Sequence, residues 1–78
     1  MPTVLRVDGF AVMIYTHDHL PQHVHIFKSG GEVIIHLRTI EVTAVYAMGG
    51  RDVRRAQHIA AENQEFLLSE WERISPVA

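Results

Sequence analysis

Four histidines fall between residues 17 and 25, inside the stretch THDHLPQHVHIFKSGGE: His17, His19, His23 and His25. Imidazole exchanges protons near neutral pH and ligates divalent transition metals. In an extended strand, residues two apart share a face. His23 and His25 therefore point one way, and Val24 and Ile26 the other. Pro21 biases Leu20 towards extended backbone, which brings His19 to the same end of the strand. His23, His25 and His19 are thus candidate acid–base residues. The same three are the candidate ligands of a metal, although no cysteine and no carboxylate at a fixed spacing completes a set. The plainer alternative is a group of polar side chains on a wet sheet face beside a proline turn.

Two better-known histidine patterns do not fit. Histidine-triad nucleotide hydrolases alternate three histidines with apolar residues, and Phe27 stands where the third is needed. Cupins follow His-x-His with a nearby glutamate, but Glu32 lies beyond a glycine turn.

A second group of candidate residues is cationic. The segment GGRDVRR places Arg51, Arg54 and Arg55 in the first turns of a predicted helix, while Glu62, Glu65, Glu70 and Glu72 come later. That order opposes the helix macrodipole. One use for it is an anion: the arginines, the helix end and Gly49-Gly50 together form a candidate phosphate site. Alternatively Glu32, Glu41 or an oligomeric partner neutralises the arginines, or Asp52 caps the helix. If Gly49-Gly50 lets the helix start approach the sheet, His23 and His25 face the arginines across one site.

These side chains must be positioned by a small set of elements. TVLRV and FAVMIYT read as strands joined by Asp8-Gly9, a strong hairpin signal. HVHIF and EVIIHL form a second hairpin around KSGG. Residues 39–46 are either a fifth strand or partly loop. From Arg51 to Ile74 the period becomes helical. Val53, Ala56, Ala60, Leu67, Trp71 and Ile74 share an arc of about 60°, flanked by Ile59 and Phe66. Pro76 stands where such a helix stops. The expected fold is α+β: an antiparallel sheet of four to five strands in two hairpins, packed against one long C-terminal amphipathic helix. Residues 1–78 form one domain, strand-rich over 1–48 and helical over 51–74.

Composition narrows the function classes. A chain of 78 residues buries only about 60 % of its unfolded surface, so no deep cofactor cavity is expected, and no cofactor beyond a divalent metal. The 47 % apolar and 21 % charged fractions are those of a folded soluble protein. The absence of cysteine removes disulfides and thiol catalysis and fits the cytoplasm. No export signal and no membrane-spanning segment is expected. The formal charge of −2 would become +4 on protonation of all six histidines. A nucleic-acid binder is usually basic, so the charge weighs against RNA binding and the arginine cluster for it. Apolar strands in so small a chain also predict association as a homo-oligomer or hetero-complex.

Pro2-Thr3, Asp8-Gly9, the His19-x-Pro21-x-His23-x-His25 segment and Trp71 within FLLSEWERI resemble a small bacterial family catalogued as domain of unknown function 4160. Gln22 replaces a second proline common in that family, and Gly49-Gly50 a serine-like helix cap. The resemblance implies partnership with another small protein in a two-gene module, and for some members a toxin role in a toxin–antitoxin pair. Two readings follow. In one, the chain is a toxin-like component with a cognate antitoxin-like neighbour, acting on RNA or another phosphate-bearing target through the histidines and arginines. In the other, it is a non-catalytic protein-binding or regulatory module that holds a metal or a partner on its histidine face.

Overall fold

The computed structural model describes residues 3–75. Five strands and two helices follow in order: β1 (Thr3–Val7), β2 (Phe10–Met13), β3 (His23–Lys28), β4 (Gly31–His36), β5 (Val42–Tyr46), α1 (Gly50–Glu62) and α2 (Gln64–Ile74). The strands pair in sequence order, each antiparallel to the next. The architecture is the expected α+β. The two hairpins, however, are not separate units: β2 pairs with β3, and residues 42–46 add a fifth strand, giving a continuous meander.

Turn chemistry explains the registers. Asp8 and Gly9 have φ of 52° and 80°, and Ser29 and Gly30 have φ of 49° and 83°. Two consecutive positive-φ residues make the turn whose twist matches a two-residue hairpin. The second turn is therefore Ser29-Gly30, which sets Lys28 opposite Gly31 and Phe27 opposite Glu32.

Period-two alternation sorts the faces. Phe10, Val12, Ile14, Val24, Ile26, Val33, Ile35 and Leu37 are buried with Ala56, Ile59, Ala60, Leu67 and Trp71 of the helices. The helices thus cover one face. His23, His25, Glu32, Ile34 and His36 alternate with these core residues and are half-buried on the other face.

The single helix expected over residues 51–74 is two helices that meet at Asn63. Asparagine inside a helix competes for its backbone. The Asn63 N–H and its Nδ2 both donate to the Ile59 carbonyl, at 3.2 and 2.8 Å. Asn63 leaves helical geometry at φ −115° and ψ 19°. Gln64 Nε2 then donates to the Leu37 and Arg38 carbonyls at 2.7 and 3.1 Å, tying the start of α2 to the end of β4. Phe66 of α2 is exposed, while Ile59 of α1, its counterpart on the flank of the stripe, is buried. Pro76, the expected stop, lies outside the described residues.

Candidate functional site

The site grows from the start of β3. His25 lies between Met13 of β2 and Ile34 of β4, diagonal to Glu32. Diagonal neighbours on one face are within reach of long side chains, and His25 Nδ1 bonds Glu32 Oε2 at 2.8 Å. His23 Nδ1 bonds the Pro21 carbonyl oxygen, also at 2.8 Å. The Leu20–Pro21 peptide is cis.

Asp18 completes the cluster from the connection between β2 and β3. A tight turn links it to Tyr15: the Asp18 N–H donates to the Tyr15 carbonyl, and the Tyr15 N–H donates to Asp18 Oδ2, both at 3.1 Å. The carboxylate is thereby aimed over the strand, with Oδ2 3.4 Å from His25 Nε2 and 3.6 Å from His23 Nε2. Ser75, buried at the end of α2, donates from Oγ to the Asp18 carbonyl at 2.7 Å and holds the turn against the helix. Rings pack around the pair. Tyr15 meets His25 edge-on at 4.7 Å, His23 and His25 are 5.1 Å apart, and Trp71 backs His23 at 5.4 Å. The side chains of His25, His23 and Asp18 are only 14–16 % exposed.

The electrostatics follow from the hydrogen bonds. A carbonyl and a carboxylate can only accept, so both histidines carry a proton on Nδ1. Their Nε2 atoms are then free to accept, and both approach another acceptor, Asp18 Oδ2. His25 Nε2 is buried, with no hydrogen-bond partner among the described residues. Three acceptors that converge with no donor among them form a place for positive charge, either an added proton or a cation. Burial, and then the negative charges of Glu32 and Asp18, hold the Tyr15 phenol above its ordinary value of 10.0. The cluster borders a groove of about 270 Å³ lined by Pro21, His23, Ile34, His36 and Thr43.

The structure unites some of the residues singled out in the sequence and separates others. His23 and His25 are together. His19 and His17 are exposed in the preceding segment, and the ligand-type atoms that converge belong to Asp18, His23 and His25, without His19. Arg51, Arg54 and Arg55 lie at the other end of the sheet, where α1 starts beside the two hairpin turns. Arg55 pairs with Asp8 in the first turn. Lys28, beside the second turn, approaches Asp52 at 3.5 Å and lies over the Phe10 ring at 4.6 Å. Arg51 and Arg54 are exposed. His23 and Lys28 are the two ends of β3, which at the rise of a strand are roughly 16 Å apart. The expected single site of imidazoles facing the arginine-rich helix start is therefore not formed. The counterions of that helix start are Asp8 for Arg55, and Lys28 for Asp52, not Glu32 or Glu41.

Asp18, Glu32, Tyr15, Trp71 and Ser75 were not marked as site residues by the sequence. For Glu32 a signal existed: a two-residue turn at Ser29-Gly30 puts it on the face of His25. For Asp18 the only signal was its place between two histidines.

A family model described as domain of unknown function (DUF4160) matches residues 9–72. That span holds Asp18, His23, His25, Glu32 and Trp71. No curated protein and no solved structure matches the chain significantly. With most of its length matched, the chain belongs to the DUF4160 family.

Proposed function

We propose that the protein is the toxin-like component of a bacterial two-gene toxin–antitoxin module, acting in the cytoplasm on RNA or another phosphate-bearing target at the His23–His25 cluster. The observation behind this reading is the convergence of two imidazole Nε2 atoms and the Asp18 carboxylate on one half-buried spot. Glu32 on His25 Nδ1 fixes the ring with the Nε2 lone pair towards Asp18 Oδ2, the carboxylate–imidazole pairing that orients a general base. His23 beside it is the second candidate acid–base residue. Removing a general acid or base typically costs about 10²–10⁴-fold in rate. His19, on the exposed rim, is a secondary candidate. The arginines stand too far away to hold the reacting phosphate. On an extended RNA, Arg51 and Arg54 would contact the backbone away from the chemistry.

The test is growth of cells expressing the chain alone and with its neighbouring gene. Growth arrest by the wild type, relief by the neighbour, and loss of arrest in folded His23→Ala and His25→Ala variants are expected. Arrest that persists in a folded double variant would refute the site.

One observation favours the second reading, a non-catalytic protein-binding module. Strand β5 is a sheet edge, and Val45 and Tyr46 on it are 44 % and 57 % exposed. An added strand from a cognate antitoxin-like protein, or from another copy of the chain, would cover that edge. Co-purification of the neighbour with the double histidine variant, without any growth arrest by the wild type, would select this reading.

A further inference from the structure

We propose that Asp18, His23 and His25 bind one divalent transition-metal ion, through Asp18 Oδ2 and the Nε2 atoms of both histidines. Three observations converge on this site.

The first is the state of the far ring nitrogens. Metal-ligating histidines almost always donate their other N–H to a carboxylate, a backbone carbonyl or water, which fixes the tautomer and aims the ring. Both histidines have that second contact here: His25 with Glu32 and His23 with the Pro21 carbonyl, each at 2.8 Å. The second is spacing. For bonds of about 2.0–2.1 Å to nitrogen and oxygen, the edge of a tetrahedron is about 3.3 Å. Asp18 Oδ2 lies 3.4 and 3.6 Å from the two Nε2 atoms, and one ligand-type atom from each of the three residues lies within 4.8 Å of the others. The third is the buried His25 Nε2, which has no hydrogen-bond partner among the described residues. A lone pair in that position costs free energy unless something positive meets it.

The ligand set selects the class of ion. Two imidazoles and one carboxylate suit zinc, cobalt, nickel or iron(II), whereas magnesium and calcium prefer all-oxygen sites. Three protein ligands leave a coordination position for water, the pattern of catalytic rather than structural zinc sites. The turn from Tyr15 to Asp18 and its anchor on Ser75 hold the carboxylate in place before any ion arrives. The site differs from the histidine-only set considered in the sequence, since Asp18 supplies the third ligand in place of His19.

The inference rests on the proposed site and reassigns its proton transfer: an ion on the two Nε2 atoms would occupy the lone pairs, so His23 and His25 would act as its holders and a metal-bound water would be the base. It is tested by binding and not by growth, so the two fail separately. The untagged full chain, stripped with chelator, is titrated with Zn²⁺ by calorimetry and with Co²⁺ by visible absorption. One ion per chain is expected. Asp18→Ala and His25→Ala should each abolish stoichiometric binding, and His19→Ala should leave it unchanged. Glu32→Gln should keep the stoichiometry and weaken affinity by about 10–100-fold. Nitrogen-15 NMR of the wild type, which needs no variant to fold, should show Zn²⁺ moving the Nε2 resonances of His23 and His25 while Nδ1 stays protonated. No Zn²⁺ binding by the wild type, binding that survives in folded Asp18→Ala and His25→Ala, or Nε2 resonances indifferent to Zn²⁺ would each overturn the proposal. In any of those cases the cluster is a hydrogen-bonded histidine–carboxylate network. Metal binding without growth arrest would leave this site standing and remove the toxin reading.

Discussion

Replacing Trp71 with alanine tests the packing that the whole site leans on. Trp71 is 1 % exposed, lies in one cluster with Leu67 and Ile59, and backs the His23 ring at 5.4 Å. A buried tryptophan covers about 150–250 Å², worth roughly 4–6 kcal/mol at about 25 cal/mol per Å². Alanine keeps a small part of that, and Trp→Ala changes in cores typically cost about 3–5 kcal/mol. A domain of this size is stable by roughly 4–12 kcal/mol, so the loss is a large share of the total. At about 4–8 °C per kcal/mol for a small domain, Tm should fall by more than about 12 °C. Thermal and urea unfolding followed by circular dichroism read this directly. Trp71→Phe keeps one ring and should fall between the two. The indole is also the chain's one tryptophan, so its fluorescence in the wild type reports on His23 and on any ion that His23 holds. A Trp71→Ala protein whose Tm stays within about 4 °C of wild type, less than about 1 kcal/mol, would refute the docking of α2 on the sheet. The positioning of Asp18 through Ser75 would fall with it.

Two further outcomes are expected. Gly49 caps α1 in extended geometry, with no side-chain cap and nothing within 4 Å of an added Cβ. Gly49→Ser should therefore stabilise by about 0.5–1 kcal/mol through a cap hydrogen bond and a less flexible unfolded chain, and a lower urea midpoint would show that the helix starts elsewhere. The Tyr15 phenol, raised by burial and then by the Glu32 and Asp18 carboxylates, should ionise above its ordinary 10.0 in an ultraviolet titration. The folded state then holds the proton more tightly than the unfolded one, so this contribution is complete below pH 10 and is lost as pH rises through the folded value. Glu32→Gln should move the Tyr15 titration down, and a wild-type phenol titrating at 10.0 would contradict the geometry.

Much of the fold was legible in the residues because its determinants are local. Asp8-Gly9 and Ser29-Gly30 are short-range turn signals, alternation in HVHIF and EVIIHL assigns each side chain to a face, and the stripe through Ala56, Leu67 and Trp71 marks a helix surface bound for a core. The pairing of His23 with His25 on one face follows from the same alternation. The break at Asn63 was present as a residue type. It takes effect because the Leu37 and Arg38 carbonyls, far away in the chain, receive the Gln64 side chain.

The site itself was decided in three dimensions. Strand period says which face a histidine occupies, but not which carboxylates arrive there. Asp18 reaches the imidazoles because a turn closes on Tyr15 and Ser75 of α2 clamps it. Glu32 reaches His25 because the hairpin register places it diagonally opposite. The arginines went the other way for a comparable reason. Helix periodicity determines that Arg51, Arg54 and Arg55 avoid the core. Which end of the sheet the helix starts over depends on where β5 releases the chain, and five strands of antiparallel pairing put that point beside the hairpin turns, at the far end of β3 from His23. Local patterns thus determined the elements and their apolar faces, while long-range pairing and helix docking decided which charged groups share a site.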